Sequence, residues 1–186
     1  ACRVCRSHDE RDVRWRTSLL VEEGPTVILV DAGPEFRLQA IRAGIRRLDG
    51  VLLTHAHADH IMGLDDLRPF MARGPLPVRG DLATLAEVRE RFSCAFVEGQ
   101  LGGGKPSFDL LPVAMETLVI GDLEVRRIPL LHGRLEVSGW RLGDFAYLTD
   151  CSAIPEPSLP LLEGVKVAAI DGLRLRPSTT HFSVDE

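Results

Sequence analysis

The segment from Thr54 to His60, which reads T-H-A-H-A-D-H, constrains the fold and chemistry of this chain more than any other stretch. It follows directly on the apolar run Val51 to Leu53, which predicts a buried strand, and it holds three of the chain's six histidines. The polar segment is therefore expected to leave the end of that strand as a loop. Its metal-capable side chains are His55, His57, Asp59 and His60.

The spacing within this segment suits two neighbouring cations. If the backbone is still extended as it leaves the strand, His55 and His57 are two residues apart and point to the same side. Asp59 and His60 then begin a turn or helix and project elsewhere. Nitrogen and carboxylate ligands of this kind are those that zinc prefers. A polar loop with ordinary hydrogen bonds would explain a single histidine, but the combination favours metal binding.

Length and charge exclude several classes of protein. The 186 residues suffice for a single domain with a sizeable core, and we expect residues 1–186 to form that one domain. A formal net charge of -5 argues against a dedicated nucleic-acid binder. No apolar run approaches the about 20 residues that cross a bilayer, and no signal peptide is evident. We therefore expect a cytoplasmic enzyme with no membrane partner.

The rest of the chain reads as an alternation of strands and helices. Glycine, proline and N-capping residues mark the ends of most elements. The loop at 99–106, rich in glycine, is expected to form a flexible rim or lid. Strands are predicted for 18–21, 26–30, 51–53, 77–79, 108–113, 118–120, 123–130, 138–142, 145–148 and 165–170, the last one buried. Helices are predicted for 34–43, from just after His60 to about Leu67, for 82–92 with Leu82 on the buried face, and for 155–162.

Five apolar runs deliver a carboxylate or an imidazole at their C-terminal end. In layered α/β folds, ligand sites form at strand ends and in the loops beyond them. A lone aspartate after a strand is usually a turn residue or a helix cap. Five such residues beside the T-H-A-H-A-D-H segment favour one convergent site. They are Asp31, His55, His132, Asp150 and Asp171.

The four cysteines do not resemble the disulfide framework of a secreted protein. Cys2 and Cys5 form a C-x-x-C pair, which is half of a zinc site, a redox dithiol or a coincidence. Cys94 and Cys151 lie far apart along the chain, and each is expected to be a small core residue.

The order of these motifs resembles that of the metallo-β-lactamase fold. The motifs are Asp31-Ala32-Gly33, then His55-x-His57-x-Asp59-His60, then His132, then Asp150, and they cover nearly the whole chain. The resemblance implies an α/β fold, a four-layer αββα sandwich with a binuclear metal site at one edge. It implies that His55, His57 and His132 bind one metal, that Asp59 and His60 bind the second, and that Asp150 bridges both. Asp31 would orient a ligand histidine from behind.

A finer resemblance is to the branch that contains the phosphoribosyl cyclic phosphate phosphodiesterase. It rests on the opening Cys2-Arg3-Val4-Cys5, on Gly63-Leu64-x-x-Leu67-Arg68, on Thr149-Asp150-Cys151-Ser152 and on Thr180-His181-Phe182-Ser183. In that branch the cysteines hold a structural zinc with a further cysteine and a C-terminal histidine, and the histidine matching His181 lies at the active site. The family pattern continues beyond residue 186 with two more histidines, so we expect a sequence trimmed at both ends.

These observations predict a metal-dependent hydrolase that most resembles a phosphodiesterase. We expect two Zn²⁺ at the active site, with Mn²⁺ as an alternative, and a structural Zn²⁺ on Cys2 and Cys5. A hydroxide bridging the two cations would attack a small or cyclic phosphodiester, with Asp59 in the catalytic centre. His181 would protonate the leaving oxygen, and Arg68 and Arg134 are candidates for holding a substrate phosphate.

Other functions stay open at this point. A tRNA 3′-end endonuclease uses the same site, but it would carry an RNA-gripping arm and a basic surface, neither of which is evident. A thioester or lactone hydrolase fits equally, since the metal site alone does not choose between carbon and phosphorus. A metal-binding docking module without activity would not need the complete ligand set through Asp150. We expect a small-molecule partner, we do not expect nucleic acid, and we leave a homodimer open.

Overall fold

Two five-stranded sheets form the centre of the structure, a computed structural model that describes residues 2–97 and 104–186. Most of the loop predicted at 99–106 lies outside the described residues. The first sheet has the order β1-β2-β3-β4-β5. β1 and β2 are an antiparallel hairpin, and the remaining pairs are parallel. Its strands are β1 (Leu19–Glu23), β2 (Thr26–Val30), β3 (Gly50–Leu52), β4 (Leu76–Gly80) and β5 (Phe108–Pro112).

The second sheet is mostly antiparallel. Its order is β10-β9-β8-β7-β6, and only the edge pair β9-β10 is parallel. The long hairpin of β7 and β8 runs in register from Val125 opposite Leu142 to His132 opposite Leu135. The strands are β6 (Thr117–Ile120), β7 (Leu123–His132), β8 (Leu135–Leu142), β9 (Phe145–Leu148) and β10 (Val167–Ile170).

The helices are short and end at recognisable capping residues. α1 (Phe36–Ala43) ends at Gly44, which adopts the left-handed conformation that glycine favours at this position. α3 (Leu82–Arg91) begins at Asp81, whose side chain accepts a hydrogen bond from the backbone N–H of Thr84, as predicted for an N-cap. α2 (Ala58–Ile61) is a single turn. The 3₁₀ helices span Val4–Arg6, Glu10–Asp12, Leu64–Met71, Ser93–Ala95 and Glu156–Leu162.

Strand alternation divides the core into layers. Ile28 and Val30 of β2 pack with Trp140 of β8 between the two sheets, while Leu29 faces the helices on the outer side. On the outer face of the second sheet, Ile128 and Leu130 form a cluster that includes Leu161 of the last 3₁₀ helix. The order of layers is helix, sheet, sheet, helix. This is the predicted αββα arrangement, with a thin second outer layer in the described part of the chain.

The two sheets are joined directly behind the T-H-A-H-A-D-H segment. The indole N–H of Trp140 donates to the carbonyl of Leu53 at 3.2 Å, and the backbone N–H of Ser138 donates to the carbonyl of Thr54 at 2.8 Å. Because all four residues are fully buried, these bonds fix the exit of β3 against the second sheet. The loop that carries the histidines therefore starts from a rigid base.

Four predictions about packing and helix position were wrong. The helix expected after His60 begins earlier, at Ala58, and the chain continues as a 3₁₀ helix in which Pro69, although it lacks a backbone N–H, does not end the helix. Leu82 is 73% exposed, since it occupies the first turn of α3 before the helix reaches the sheet. Cys94, expected in the core, is exposed on a 3₁₀ turn, whereas Cys151 is buried as predicted.

The fourth wrong prediction concerns β10. The apolar run forms a strand, but all four of its residues are exposed instead of buried. The reason is its edge position: β10 pairs with β9 on one side, and the described residues place no layer over its faces. None of the helices within 2–97 and 104–186 combines the length and apolarity needed to cross a bilayer.

Candidate metal centre

Two aspartates turn the backbone sharply at the ends of strands. Asp31 follows β2 with a φ of 59°, and Asp150 comes shortly after β9 with a φ of 49°. Within the described ranges they are the two non-glycine residues with positive φ. Aspartate tolerates this left-handed conformation better than most residues, but it remains uncommon and concentrates at functional sites. The turns bring both carboxylates beside the histidines that follow β3.

The short helix α2 is held close to the turn after β2 by two glycines. A Cβ atom at Gly33 would overlap the carbonyl oxygen of Asp59, and one at Gly63 would overlap the carbonyl oxygen of Gly33. The backbone N–H of Gly63 donates to the carbonyl of Ala32 at 2.8 Å. Only glycine permits such close approach of two backbones. This packing places the first turn of α2 against Asp31.

Three imidazoles from two sheets meet on one side of the centre. His55 and His57, from the loop after β3, lie with His132, the last residue of β7, so that one ligand atom from each is within 4.8 Å of the others. Nε2 of His55 is 2.9 Å from Nδ1 of His57. Nδ1 of His132 donates to the carbonyl of Thr180 at 2.6 Å, which leaves its Nε2 as the metal-capable nitrogen. These are the three residues that the sequence assigned to the first metal.

His60 is placed between two carboxylates. Its Nδ1 lies 2.7 Å from Oδ2 of Asp31, and its Nε2 lies 3.2 Å from Oδ2 of Asp150. Asp31 is fully buried and also accepts hydrogen bonds from the backbone N–H and the hydroxyl of Thr54 at 2.8 and 2.7 Å. Since Asp31 holds one nitrogen of the ring, the other is directed toward Asp150. His55, His60 and Asp150 form a second group whose ligand atoms lie within 4.8 Å.

The protonation of the metal-free centre follows from these contacts. Burial and the positive charge of His60 lower the pKa of His55 to about 3, so this imidazole is neutral near neutral pH. Burial also disfavours protonation of His60, but its hydrogen bonds to Asp150 and Asp31 outweigh that effect and raise its pKa to about 10. Burial would raise the pKa of Asp150, yet the hydrogen bond and charge of His60 hold it well below its usual range. In the metal-free centre the positive charge therefore lies on the protonated ring of His60.

His181 and Asp171 form a pair at the edge of the same centre. Nδ1 of His181 lies 2.7 Å from Oδ2 of Asp171, which also accepts the backbone N–H of Cys151 at 3.0 Å. The ring centroid of His181 is 4.7 Å from that of His132. Ligand atoms of His132, Asp150 and His181 lie within 4.8 Å of one another. Asp171 therefore supports His181 from behind.

Asp59 stands at the rim. Its side chain is 54% exposed, and Oδ2 lies 3.9 Å from Nε2 of His60, so it belongs to none of the tight ligand groups. It does line the open cleft of about 480 Å³ above the centre. The cleft is lined by Arg16, Thr17, His57, Asp59, His60, His132, Thr149, Asp150, Asp171, Gly172, Leu173 and His181.

The two arginines proposed to hold a substrate phosphate do not line this cleft. Arg68 donates to the carbonyl of Gly104 at 2.8 Å and pairs with Asp65 at 3.3 Å, and Arg134 is exposed in the turn between β7 and β8. Their assignment stays a prediction that the lining of this cleft does not support. Arg16 was not predicted to line the cleft, because it precedes β1 and belongs to no recognisable motif.

The N-terminal cysteines lie apart from any third ligand in the described residues. Cys2 and Cys5 are exposed free thiols at the 3₁₀ turn Val4–Arg6, and neither belongs to a candidate metal group. Hydrogen bonding to the backbone N–H of Cys5, and then to the Cys5 thiol, lowers the pKa of Cys2, whereas the thiol contact with Cys2 raises the pKa of Cys5. The structural zinc stays a prediction that rests on two sulfur ligands.

Two packed sheets carry imidazoles and carboxylates that meet at their strand ends. This is the metallo-β-lactamase fold, whose members are hydrolases. The family model described as the beta-lactamase superfamily domain matches residues 26–186. The chain belongs to this superfamily.

Its relatives carry several different names. A crystal structure described as a new diphosphatase from the PhnP family superimposes with a TM-score of 0.89 at 34% identity, covering 100% of this chain and 71% of that chain. An octanoyltransferase of Porphyromonas gingivalis is 40% identical over 188 residues, which are 100% of this chain and 38% of that protein. A ribonuclease Z of Bradyrhizobium diazoefficiens is 50% identical over 56 residues, 29% of this chain and 19% of that protein. The matched regions thus span well under half the length of these two curated relatives.

Proposed function

We propose that this chain is a binuclear metal-dependent hydrolase that cleaves a small phosphodiester or diphosphate. The observation that carries the proposal is the cluster of His55, His57, His60 and His132 with Asp150, beside which the His181–Asp171 pair lies. Structural histidines are usually scattered through a core. Imidazole nitrogens within 4.8 Å of one another and of a carboxylate favour cation binding instead.

The donor set fits two cations. His55, His57 and His132 would hold the first, and His60 with Asp150, joined by Asp59 from the rim, would hold the second. Nitrogen and carboxylate ligands suit Zn²⁺ and are compatible with Mn²⁺. The buried carboxylate of Asp31 behind His60 is the kind of supporting contact that metal-binding histidines need. When bound, the cations would supply an activated water and neutralise charge on the reacting phosphate.

His181, supported by Asp171, would protonate the leaving group. His181 lines the cleft, and its Nδ1 is held by Asp171, so Nε2 remains free to face a substrate. In this position it would donate a proton to the departing oxygen. Asp171 fixes the orientation of the ring. Asp171 is itself anchored by the backbone N–H of Cys151 at 3.0 Å.

The likeness to the diphosphatase supports phosphorus as the reacting centre. That relative combines 34% identity with a TM-score of 0.89 over the whole of this chain. The local identity to proteins named ribonuclease Z points toward phosphate chemistry as well. We favour a small substrate over RNA because the net charge is -5 and Arg16 is the single arginine or lysine among the described residues that line the cleft.

An acyl substrate is the second candidate, favoured by one observation. The protein named octanoyltransferase is 40% identical over the entire length of this chain. The matched region is 38% of that protein, so its name also describes sequence that this chain does not include. A water activated by the same metal centre would attack a thioester or lactone carbonyl as readily as phosphorus.

A paired assay separates the two candidates. Metal-free protein would be loaded with Zn²⁺ or Mn²⁺ and tested on bis(p-nitrophenyl) phosphate and on p-nitrophenyl octanoate. We expect hydrolysis of the phosphodiester, with His57→Ala losing at least about a hundredfold in kcat/KM together with bound metal. His8→Ala is the matched control, since His8 belongs to no candidate metal group. Hydrolysis of the octanoate alone would reject the phosphodiesterase in favour of the acyl hydrolase.

A further inference from the structure

A groove crosses the helix layer outside the first sheet, between α1 and the 3₁₀ helix Leu64–Met71. This α1 groove has a volume of about 370 Å³, and its apolar floor includes Ala40, Ile45 and Phe70, each partly buried against the core. Ile41 stands at its edge and is 67% exposed. None of the described residues that line the α1 groove also lines the metal cleft. The α1 groove is thus a surface of its own.

Arginines line the rim of the α1 groove. Residues 36–48 contain four arginines and no aspartate or glutamate, although the whole chain has a net charge of -5. Two of the four, Arg37 and Arg46, are exposed and line the groove. Among the described residues, Asp66 is the one carboxylate in its lining. This surface is therefore basic in a chain that is acidic overall, and electrostatic attraction would favour a negatively charged partner.

A second cavity of about 300 Å³ extends the α1 groove toward β4. The two cavities share three lining residues, Arg46, Pro69 and Phe70. The extension adds the exposed Arg73, and its lining also includes Asp49. Asp49 is already engaged, since it pairs with Arg47 at 2.5 Å and accepts the backbone N–H of Val27 at 2.8 Å. In the described part of the chain that ion pair is the one at this rim, so the other arginines keep their N–H donors open to a ligand.

The combination of floor and rim discriminates among the possible occupants. Nucleic acid would use the arginines but would leave the apolar floor empty. A membrane surface is contacted by apolar side chains that project outward, whereas most of these side chains line a concave surface. A second copy of this chain that docked through the same face would bring arginines against arginines. A peptide segment with an apolar anchor between acidic residues complements both the floor and the rim.

We propose that the α1 groove docks an acidic segment of a partner protein. An aromatic or leucine side chain of that segment would fill the apolar floor. Flanking aspartate or glutamate residues would pair with Arg37, Arg46 and Arg73. Because the α1 groove shares no described lining residue with the metal cleft, the inference concerns recruitment of a partner and does not depend on which bond the metal centre cleaves.

A displayed library of random peptides tests this chemistry without a known partner. Metal-loaded wild-type protein would be used for the selection. The most enriched peptide would then be synthesised with a fluorescent label and titrated by anisotropy against the wild type and its variants. We expect enriched peptides to carry acidic residues on both sides of an aromatic or leucine residue. Arg46→Ala and Ile41→Ser, both at exposed positions, should each weaken binding of the labelled peptide about tenfold.

Two variants of α3 are the matched controls. Leu82→Ser removes an aliphatic side chain from a residue that is 73% exposed, and Arg91→Ala breaks the exposed Arg91–Glu87 pair. Neither residue lines the α1 groove or its extension, so both variants should bind the labelled peptide within about twofold of the wild type. Circular dichroism and zinc content would verify that every variant is folded and loaded.

Other results would overturn the acidic segment as the occupant. Enriched peptides that lack acidic residues, or no enrichment over a blank surface, would exclude it. A labelled peptide that binds Arg46→Ala and Ile41→Ser as tightly as the wild type would place its site elsewhere. If these variants instead weaken binding of poly(U) RNA or of phosphatidylglycerol vesicles and leave peptide binding unchanged, the surface serves nucleic acid or a membrane. A dimer that Ile41→Ser dissociates in gel filtration would identify a second copy of the chain as the occupant.

Discussion

The carboxylate of Asp31 lies 2.7 Å from Nδ1 of His60, on the side of the ring opposite Asp150. Both Asp31 and His60 are almost completely buried. Asp31 is in turn held by the backbone and hydroxyl of Thr54, the residue that opens the histidine segment. The contact therefore links the end of β2 to the first turn of α2 and directs Nε2 of His60 toward the cleft.

Replacing Asp31 with asparagine should weaken the second metal site selectively. Asparagine tolerates the φ of 59° and can still accept the Thr54 N–H, so the fold is retained. With its oxygen on the Thr54 N–H, the amide turns its NH2 group toward Nδ1 of His60 and cannot accept that N–H; loss of such a supporting contact typically costs about 10- to 100-fold in metal affinity. Competition with a chromophoric chelator measures both sites. Asp144→Asn, in an exposed ion pair with Lys166, is the control, and equal zinc affinity in both variants would contradict the role of Asp31.

Metal binding should release about one proton from His60. In the metal-free protein its pKa is raised to about 10, so the imidazole is protonated at about pH 8 and must lose that proton to bind a cation. Affinity should therefore rise with pH until the solution passes that pKa. Calorimetric titrations with zinc in two buffers of different ionisation enthalpy report the released protons. A heat that does not depend on the buffer would show that His60 is neutral or unbound.

The same raised pKa predicts how the metal-free fold responds to alkali. The ion-paired form of His60 stabilises the folded state fully below the unfolded pKa of about 6.5, and this contribution is lost as the pH rises through about 10. Urea unfolding of metal-free wild-type protein should show stability falling across that window. His60→Gln should flatten the decline. If both proteins respond equally to pH, another group governs the loss.

The part of the site that local spacing encodes was predictable. The strand before His55 and the two-residue repeat to His57 fix their common direction, so the sequence alone placed them together. Asp31, His132 and Asp150 were found because each follows an apolar run that forms a strand. The strands and helices themselves were predictable because they depend on short-range periodicity, which a sequence displays. The αββα layers were predicted from the family resemblance alone.

What the sequence could not provide depends on tertiary placement. Arg16 reaches the cleft because Glu35, distant along the chain, anchors it, and no local pattern reveals such a pairing. The side chain of Arg68 instead pairs with Asp65 and donates to the carbonyl of Gly104. The exposure of β10 could not be predicted either, because an apolar run has the same sequence pattern at the edge of a sheet as in its middle.

The contact between α2 and the turn after β2 should make Gly63 irreplaceable. A Cβ there meets the backbone oxygen of Gly33, which cannot move as a side chain would, so Gly63→Ala should destabilise the fold by about 1–3 kcal/mol. Denaturant unfolding of the metal-free protein measures this. Gly44→Asn is the matched control. A Cβ at Gly44 would meet no atom within 4 Å, and asparagine tolerates the φ of 67° at this position. Similar stabilities for the two variants would mean that the two backbones are not in close contact.

The pairing of His181 with Asp171 predicts an effect that depends on the leaving group. If His181 protonates the departing oxygen, His181→Gln should slow the release of a poorly stabilised alkoxide by about 10²- to 10⁴-fold, while p-nitrophenolate, which needs no proton, should leave nearly as fast as from the wild type. Asp171→Asn should show the same pattern more weakly, since the 2.7 Å contact orients the ring. The measurement is kcat for a series of aryl and alkyl phosphodiesters, with zinc content verified for each variant. Equal losses across the series would mean that His181 acts on binding or on the metals, and its assignment as the proton donor would have to be abandoned.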